Sequence, residues 1–133
     1  MRTNLVTQTL PDQKHETLRL HHTVTEALQS NQPVVALEST LITHGLPYPD
    51  NLAAARATEA AVRTAGAIPA TIAILRGQIT VGLDDAQLEY LATARPVRKC
   101  SRRDVGLVIA RKLDGATTVA GTMIAAAMAG IGV

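Results

Sequence analysis

Glu38 is the residue of this chain best placed to do chemistry. It follows Val34-Val35-Ala36-Leu37, an apolar run that is β-branched at its start and predicts a buried strand. In open α/β sheets, reactive groups gather outside the carboxyl ends of strands. An acid at the edge of a desolvated strand can give or take a proton. An ordinary turn carboxylate accounts for the same residue. Lys99 is the second candidate, flanked by Arg98, Arg102 and Arg103. Neighbouring cations disfavour a protonated amine, which suits a nucleophile. The same cluster suits a phosphate clamp, and a solvated basic face explains it equally. A third candidate is Gly115-Ala116-Thr117-Thr118-Val119, read as a small-residue turn opening a helix. Amides there attract phosphate, although helix capping accounts for them too. It is no P-loop, because the Walker spacing and lysine are absent. His21, His22 and His44 have no suitably spaced carboxylate, so no metal site is expected among them. Cys100 reads as a buried small residue whose pKa the adjacent cations can lower.

These residues need elements to position them. Residues 1–14 lack periodicity and read as a loose arm. Leu20, Val24, Ala27 and Leu28 predict a helix over 16–28, ended by Asn31-Gln32-Pro33. The strand carrying Glu38 follows. Residues 44–49 read as a loop, with Asp50 or Asn51 as N-cap of a helix over 52–65. Arg56, Glu59 and Arg63 share its predicted wet face, and Gly66 stops it. Residues 70–75 and 78–82 predict a hairpin turning at Arg76-Gly77. A helix over 84–93 comes next, then a short strand over 97–100. Ser101 and Asp104 are set to cap a helix to Lys112. A final helix, capped by Thr117 or Thr118, runs through Ala129 and is apolar nearly all round, so it needs cover on several sides. Ile131-Gly132-Val133 looks like the opening of a strand. The expectation is that this chain is the N-terminal part of a longer protein or a truncated product.

Composition narrows the classes. The 133 residues are 47% apolar, which excludes a disordered chain. Phe and Trp are absent, and only Tyr48 and Tyr90 are aromatic, so the core must be Ala, Val, Ile and Leu. Net charge is +2, yet seven of the thirteen Lys and Arg lie within 95–112, opposed only by Asp104. Such an excess attracts anions. A nucleic-acid polymer is not expected, since stacking aromatics are lacking. A single cysteine rules out an intramolecular disulfide. No stretch has signal-peptide or bilayer-spanning character, so a cytoplasmic protein with no membrane partner is expected.

Four ordered blocks carry a resemblance. They are Val34 through Gly45 with Pro47 and Pro49, Gly66 through Ile74, Lys99 through Asp104, and Gly115 through Met123. Together they closely resemble the pseudouridine-5'-phosphate glycosidases, also called pseudouridylate synthases or the indigoidine-synthase-A-like family. The resemblance implies the N-terminal part of a layered α/β/α fold with a mixed sheet containing one hairpin. It divides the chain into an arm and helix over 1–30 and part of a glycosidase domain over 31–133. It implies reversible cleavage of the C–C glycosidic bond of pseudouridine 5'-phosphate to uracil and ribose 5-phosphate, in a manganese-dependent homotrimer. Glu38 corresponds to the proton-donating acid. Lys99 and Val119 correspond to substrate-binding positions. The nucleophile is a different lysine, matched by none of Lys14, Lys99 and Lys112, and the manganese ligand is likewise expected beyond Val133. The resemblance thus overrides Lys99 as nucleophile and implies that this chain alone is inactive. The alternative is a non-enzymatic remnant that associates with other subunits.

Overall fold

A computed structural model describes residues 17–132. The strands are β1 (Leu18–Leu20), β2 (Val34–Leu37), β3 (Ile68–Leu75), β4 (Gln78–Val81), β5 (Arg98–Cys100) and β6 (Gly115–Thr117). The helices are α1 (His22–Gln29), α2 (Thr40–His44), α3 (Asp50–Thr64), α4 (Asp85–Thr93), α5 (Val105–Ala110) and α6 (Val119–Ala129). The strands form one mixed sheet in the order β1-β4-β3-β6-β5, with β2 also on β3.

β3 organises the molecule. Its side chains alternate between two faces, as a strand requires. Ala70, Ile72 and Ile74 face a core shared with Val24 of α1, Val108 of α5 and Ala125 of α6. Ala73 faces a second core built from Ile42 of α2, Leu52 and Ala55 of α3, and Leu88 and Leu91 of α4. Helices therefore cover both faces, giving the layered α/β/α arrangement that the resemblance implies. The predicted hairpin joins β3 to β4. Arg76 and Gly77 both have positive φ, 50° and 78°, the backbone of a type I′ turn.

Several expectations are corrected. Residues 18–20 are strand rather than helix. They pair in parallel with β4, and α1 starts only at His22. Leu20 therefore lies outside the helix. Residues 40–44 form α2, so His44, read as the start of a loop, ends a helix. Residues 115–117 are strand rather than turn, held between β3 and β5. Pro49, not Asp50 or Asn51, is the N-cap of α3. Asn51 is instead fully buried, and its amide donates to the carbonyls of Ile42 (2.8 Å) and Ala92 (3.0 Å). Glu59 does pair with Arg63 at 3.1 Å, but it is buried rather than wet and accepts the Thr71 hydroxyl at 2.7 Å. Arg56 pairs across to Asp85 through two 2.7 Å contacts. Ile131 and Gly132 are not strand, and Val133 and the arm over 1–14 lie outside the described residues.

Candidate functional site

Two strands meet head-on beneath Glu38. β2 pairs in parallel with the first half of β3, through Thr71. β6 runs antiparallel to β3, with Ala116 opposite Ala73. Their carboxyl ends converge, and the Ser39 amide donates to the Thr117 carbonyl at 3.0 Å. Ser39, Thr117 and Thr122 close the junction, and all are buried. The Ser39 and Thr117 hydroxyls each donate to the Ile72 carbonyl at 2.7 Å. The Thr117 amide donates to Ser39 Oγ at 2.9 Å, and the Thr117 and Thr122 hydroxyls lie 2.8 Å apart. Among the described residues no buried side-chain polar atom lacks a partner. A satisfied network of this kind fixes one geometry, because breaking it strands a polar group in the core.

The network sets the residues on either side. Glu38, half-buried, follows β2 directly. Its Oε2 accepts the Thr40 amide at 2.7 Å and the Thr40 hydroxyl, and its Oε1 accepts the Leu41 amide at 3.4 Å. The carboxylate is thus steered back over the start of α2. Across the junction, Thr118 caps α6 by accepting the Gly121 amide at 3.3 Å. Val119, the next residue, is 65% exposed. Glu38 and Val119 line one groove of about 550 Å³, walled by Val34, Leu37, Met123 and Ala126. Glu38 also borders a smaller hollow of about 210 Å³ that reaches Thr58 and Thr71. A carboxylate beside an open apolar wall is an arrangement that can take a flat, partly polar ligand.

Lys99 lies apart from that groove. It is exposed on β5, opposite Ala116 of β6. It shares the strand-end level of the sheet with Glu38 and Val119, but it lines neither hollow. The third candidate segment contributes through β6 and the Thr118 cap rather than as a phosphate turn. Cys100 is fully buried, and burial with the nearby Asp104 carboxylate pushes its thiol up to about 11. The adjacent cations therefore do not activate it. Ser101 and Asp104 form the predicted capping box. The Ser101 amide and hydroxyl hold the Asp104 carboxyl below the usual carboxylate range. Gly121 passes so close to β5 that a Cβ would stand 2.5 Å from the Cys100 carbonyl oxygen. Only glycine allows α6 to start there. Sequence reasoning passed over Ser39, Thr117 and Thr122 as positioning groups. Their one signal was small hydroxyl residues beside the acid and before the last helix.

Among the described residues no three His, Cys, Asp or Glu side chains converge as metal ligands. His21 is occupied locally, with Nδ1 2.8 Å from the Thr23 hydroxyl. No described helix is long and apolar enough to cross a membrane.

A layered α/β chain with a mixed sheet and a strand-end acid facing a groove defines the class: an α/β protein with the framework of an enzyme site. The chain belongs to the indigoidine synthase A-like family, whose model matches residues 23–133. It is 60% identical over 119 residues to a pseudouridine-5'-phosphate glycosidase of Rhodospirillum centenum, covering 90% of this chain and 37% of that protein. It is 59% identical over 114 residues to one of Solibacter usitatus, covering 86% and 38%. Among solved structures it resembles the prealnumycin C-glycosynthase AlnA in complex with ribulose 5-phosphate, at 45% identity and a TM-score of 0.77. That match covers 87% of this chain and 37% of AlnA. It also resembles an indigoidine synthase A-like protein of Thermotoga maritima, at 28% identity and a TM-score of 0.75, covering 87% and 37%. The chain thus spans little more than a third of the length of these relatives.

Proposed function

We propose that this chain supplies the proton-transfer side of a pseudouridine-5'-phosphate glycosidase site. In the reaction the C–C bond between sugar and uracil breaks, the uracil carbon gains a proton, and water supplies the hydroxyl of the freed ribose 5-phosphate. Glu38 is the proton donor, and Val119 and Lys99 contact substrate. The observation that carries this reading is the shared groove of Glu38 and Val119, held by a buried junction, in a chain so similar to proteins named for that activity. A carbon leaving group departs far less readily than a protonated oxygen, so acid assistance alone is weak and a covalent lysine step is needed. None of Lys14, Lys99 and Lys112 matches the family nucleophile.

The same reading places the whole enzyme in the cytoplasm as a manganese-dependent homotrimer. The described residues do not themselves form a manganese site, and no step here runs through the metal. The test is uracil release from pseudouridine 5'-phosphate with manganese present. The purified chain is expected to give no turnover. In a full-length protein containing this sequence, Glu38→Gln is expected to abolish turnover while the fold persists. Turnover by the chain alone overturns its inactivity, and an unaffected Glu38→Gln enzyme removes Glu38 from the mechanism.

A second reading, association with other subunits without catalysis, draws on the exposed Val119, Met123 and Met128 of α6. Sedimentation as a compact monomer counts against it.

A further inference from the structure

At the β3–β4 turn lies a cleft of about 740 Å³ that shares no residue with the groove of Glu38. Arg19 of β1, Arg76 of the turn and Lys112 after α5 bring three cations to it, and among the described residues Asp84 alone brings a carboxylate. Asp84 is already the cap of α4, accepting the Gln87 amide at 2.8 Å. Among the described residues none of the three cations is in an ion pair. The nearby Asp114 does not neutralise them in a direct pair. Its two oxygens are taken by the Arg76 amide (2.8 Å) and the Tyr90 hydroxyl (2.6 Å). Tyr90 is thereby locked, and the Arg76 guanidinium lies 5.7 Å over its ring. This contact, with a guanidinium hydrogen bond toward the Tyr90 side chain, restrains Arg76 while leaving its other N–H groups to a ligand.

The backbone adds an independent observation. Arg76 and Lys112 have φ of 50° and 51°. The first position of a type I′ turn and the residue after a helix C-cap are places where Gly or Asn costs least. Here both hold a cation. Gly77 ties the two together. Its amide donates to the Leu113 carbonyl at 2.9 Å, and a Cβ on it would stand 2.7 Å from Lys112 Cα. The turn and the end of α5 are thus pressed against each other, with their cations facing the same cleft. Strain of this kind concentrates where a ligand is held.

We propose that this cleft binds the phosphate group of a small phosphate monoester, with Arg19, Arg76 and Lys112 as its ligands. The site is separate from Glu38 and does not depend on the glycosidase reading. The probes are ribose 5-phosphate and inorganic phosphate, with ribose as control. They are titrated into the chain carrying Tyr48→Phe, so that Tyr90 alone reports by fluorescence, with calorimetry in parallel. Both phosphates are expected to perturb Tyr90, the reporter of this cleft, and ribose is not. Arg76→Asn and Lys112→Asn keep a residue type that tolerates positive φ, so the fold survives, and circular dichroism checks it. Each is expected to weaken binding about tenfold, the loss of one charge-assisted contact. Glu38→Gln, outside this cleft, is expected to leave the Tyr90 response to inorganic phosphate unchanged. Phosphate binding that ignores Arg76→Asn and Lys112→Asn, binding abolished by Glu38→Gln, or no binding at all would overturn the proposal.

Discussion

Beneath Glu38, three hydroxyls are sealed from solvent and direct their hydrogen bonds at one another and at Ile72. At the β3–β4 turn, three cations stand exposed, and two of them sit on left-handed backbone. One sheet carries both. The first region gains geometry by satisfying every buried polar group, so any change there disturbs the fold first. The second keeps its charge out of ion pairs among the described residues, so changes there should be cheap for the fold and costly only for a ligand.

That contrast can be broken by measurement. The largest effect is expected from Gly121→Val, which drives a side chain into the Cys100 carbonyl. It should cost about 3 kcal/mol by overpacking, read as a drop in the urea midpoint. Ser39→Ala should cost about 2 kcal/mol, because the Thr117 amide loses its acceptor in the core. If either variant is as stable as the parent, the junction is not the rigid region. The Asp104 box tests the polar end of β5. The folded carboxyl lies below its unfolded value of 3.8, so its contribution is full above that value and fades as pH falls through the lower folded one. Asp104→Asn should flatten this acid limb in denaturation curves followed from neutral pH to below 3.8. The smallest effect should have the opposite sign. Lys112→Asn is expected to stabilise by about 0.5 kcal/mol, since Asn accepts left-handed backbone more readily. A clear loss of stability there would mean that the lysine supports the fold.

Local signals were readable where the residues themselves carry the structure. The Glu38 strand ends at Leu37 as its apolar run does, and the hairpin turns at Arg76-Gly77. The helix read over 84–93 forms as α4, and Ser101 with Asp104 caps the next turn. Distant pairing was not readable. Leu18 and Leu20 alternate over only three residues, and the spacing from Leu20 to Val24 fits a helix equally well. β1 exists because β4, far along the chain, offers it an edge. Gly115-Ala116-Thr117 has little intrinsic preference for a strand, and β3 and β5 impose one on it. Asn51 looked like a cap and Glu59 looked solvent-facing because their partners, Ala92 and Thr71, lie on other elements. The strand end that carries Glu38 was legible from its pattern, whereas the hydroxyls beneath it were not, since small hydroxyl residues look the same in a turn as in a core.

The head-on meeting of β2 and β6 has one more consequence. Strand termini ordinarily fray, and their amide hydrogens are among the first to swap with water. Here the amides of Ser39 and Thr117 lie at two such termini, yet each is bonded within a dry interior. Breathing at this point requires both ends to part together, so the seam opens on the timescale of the whole molecule rather than of a loose tip.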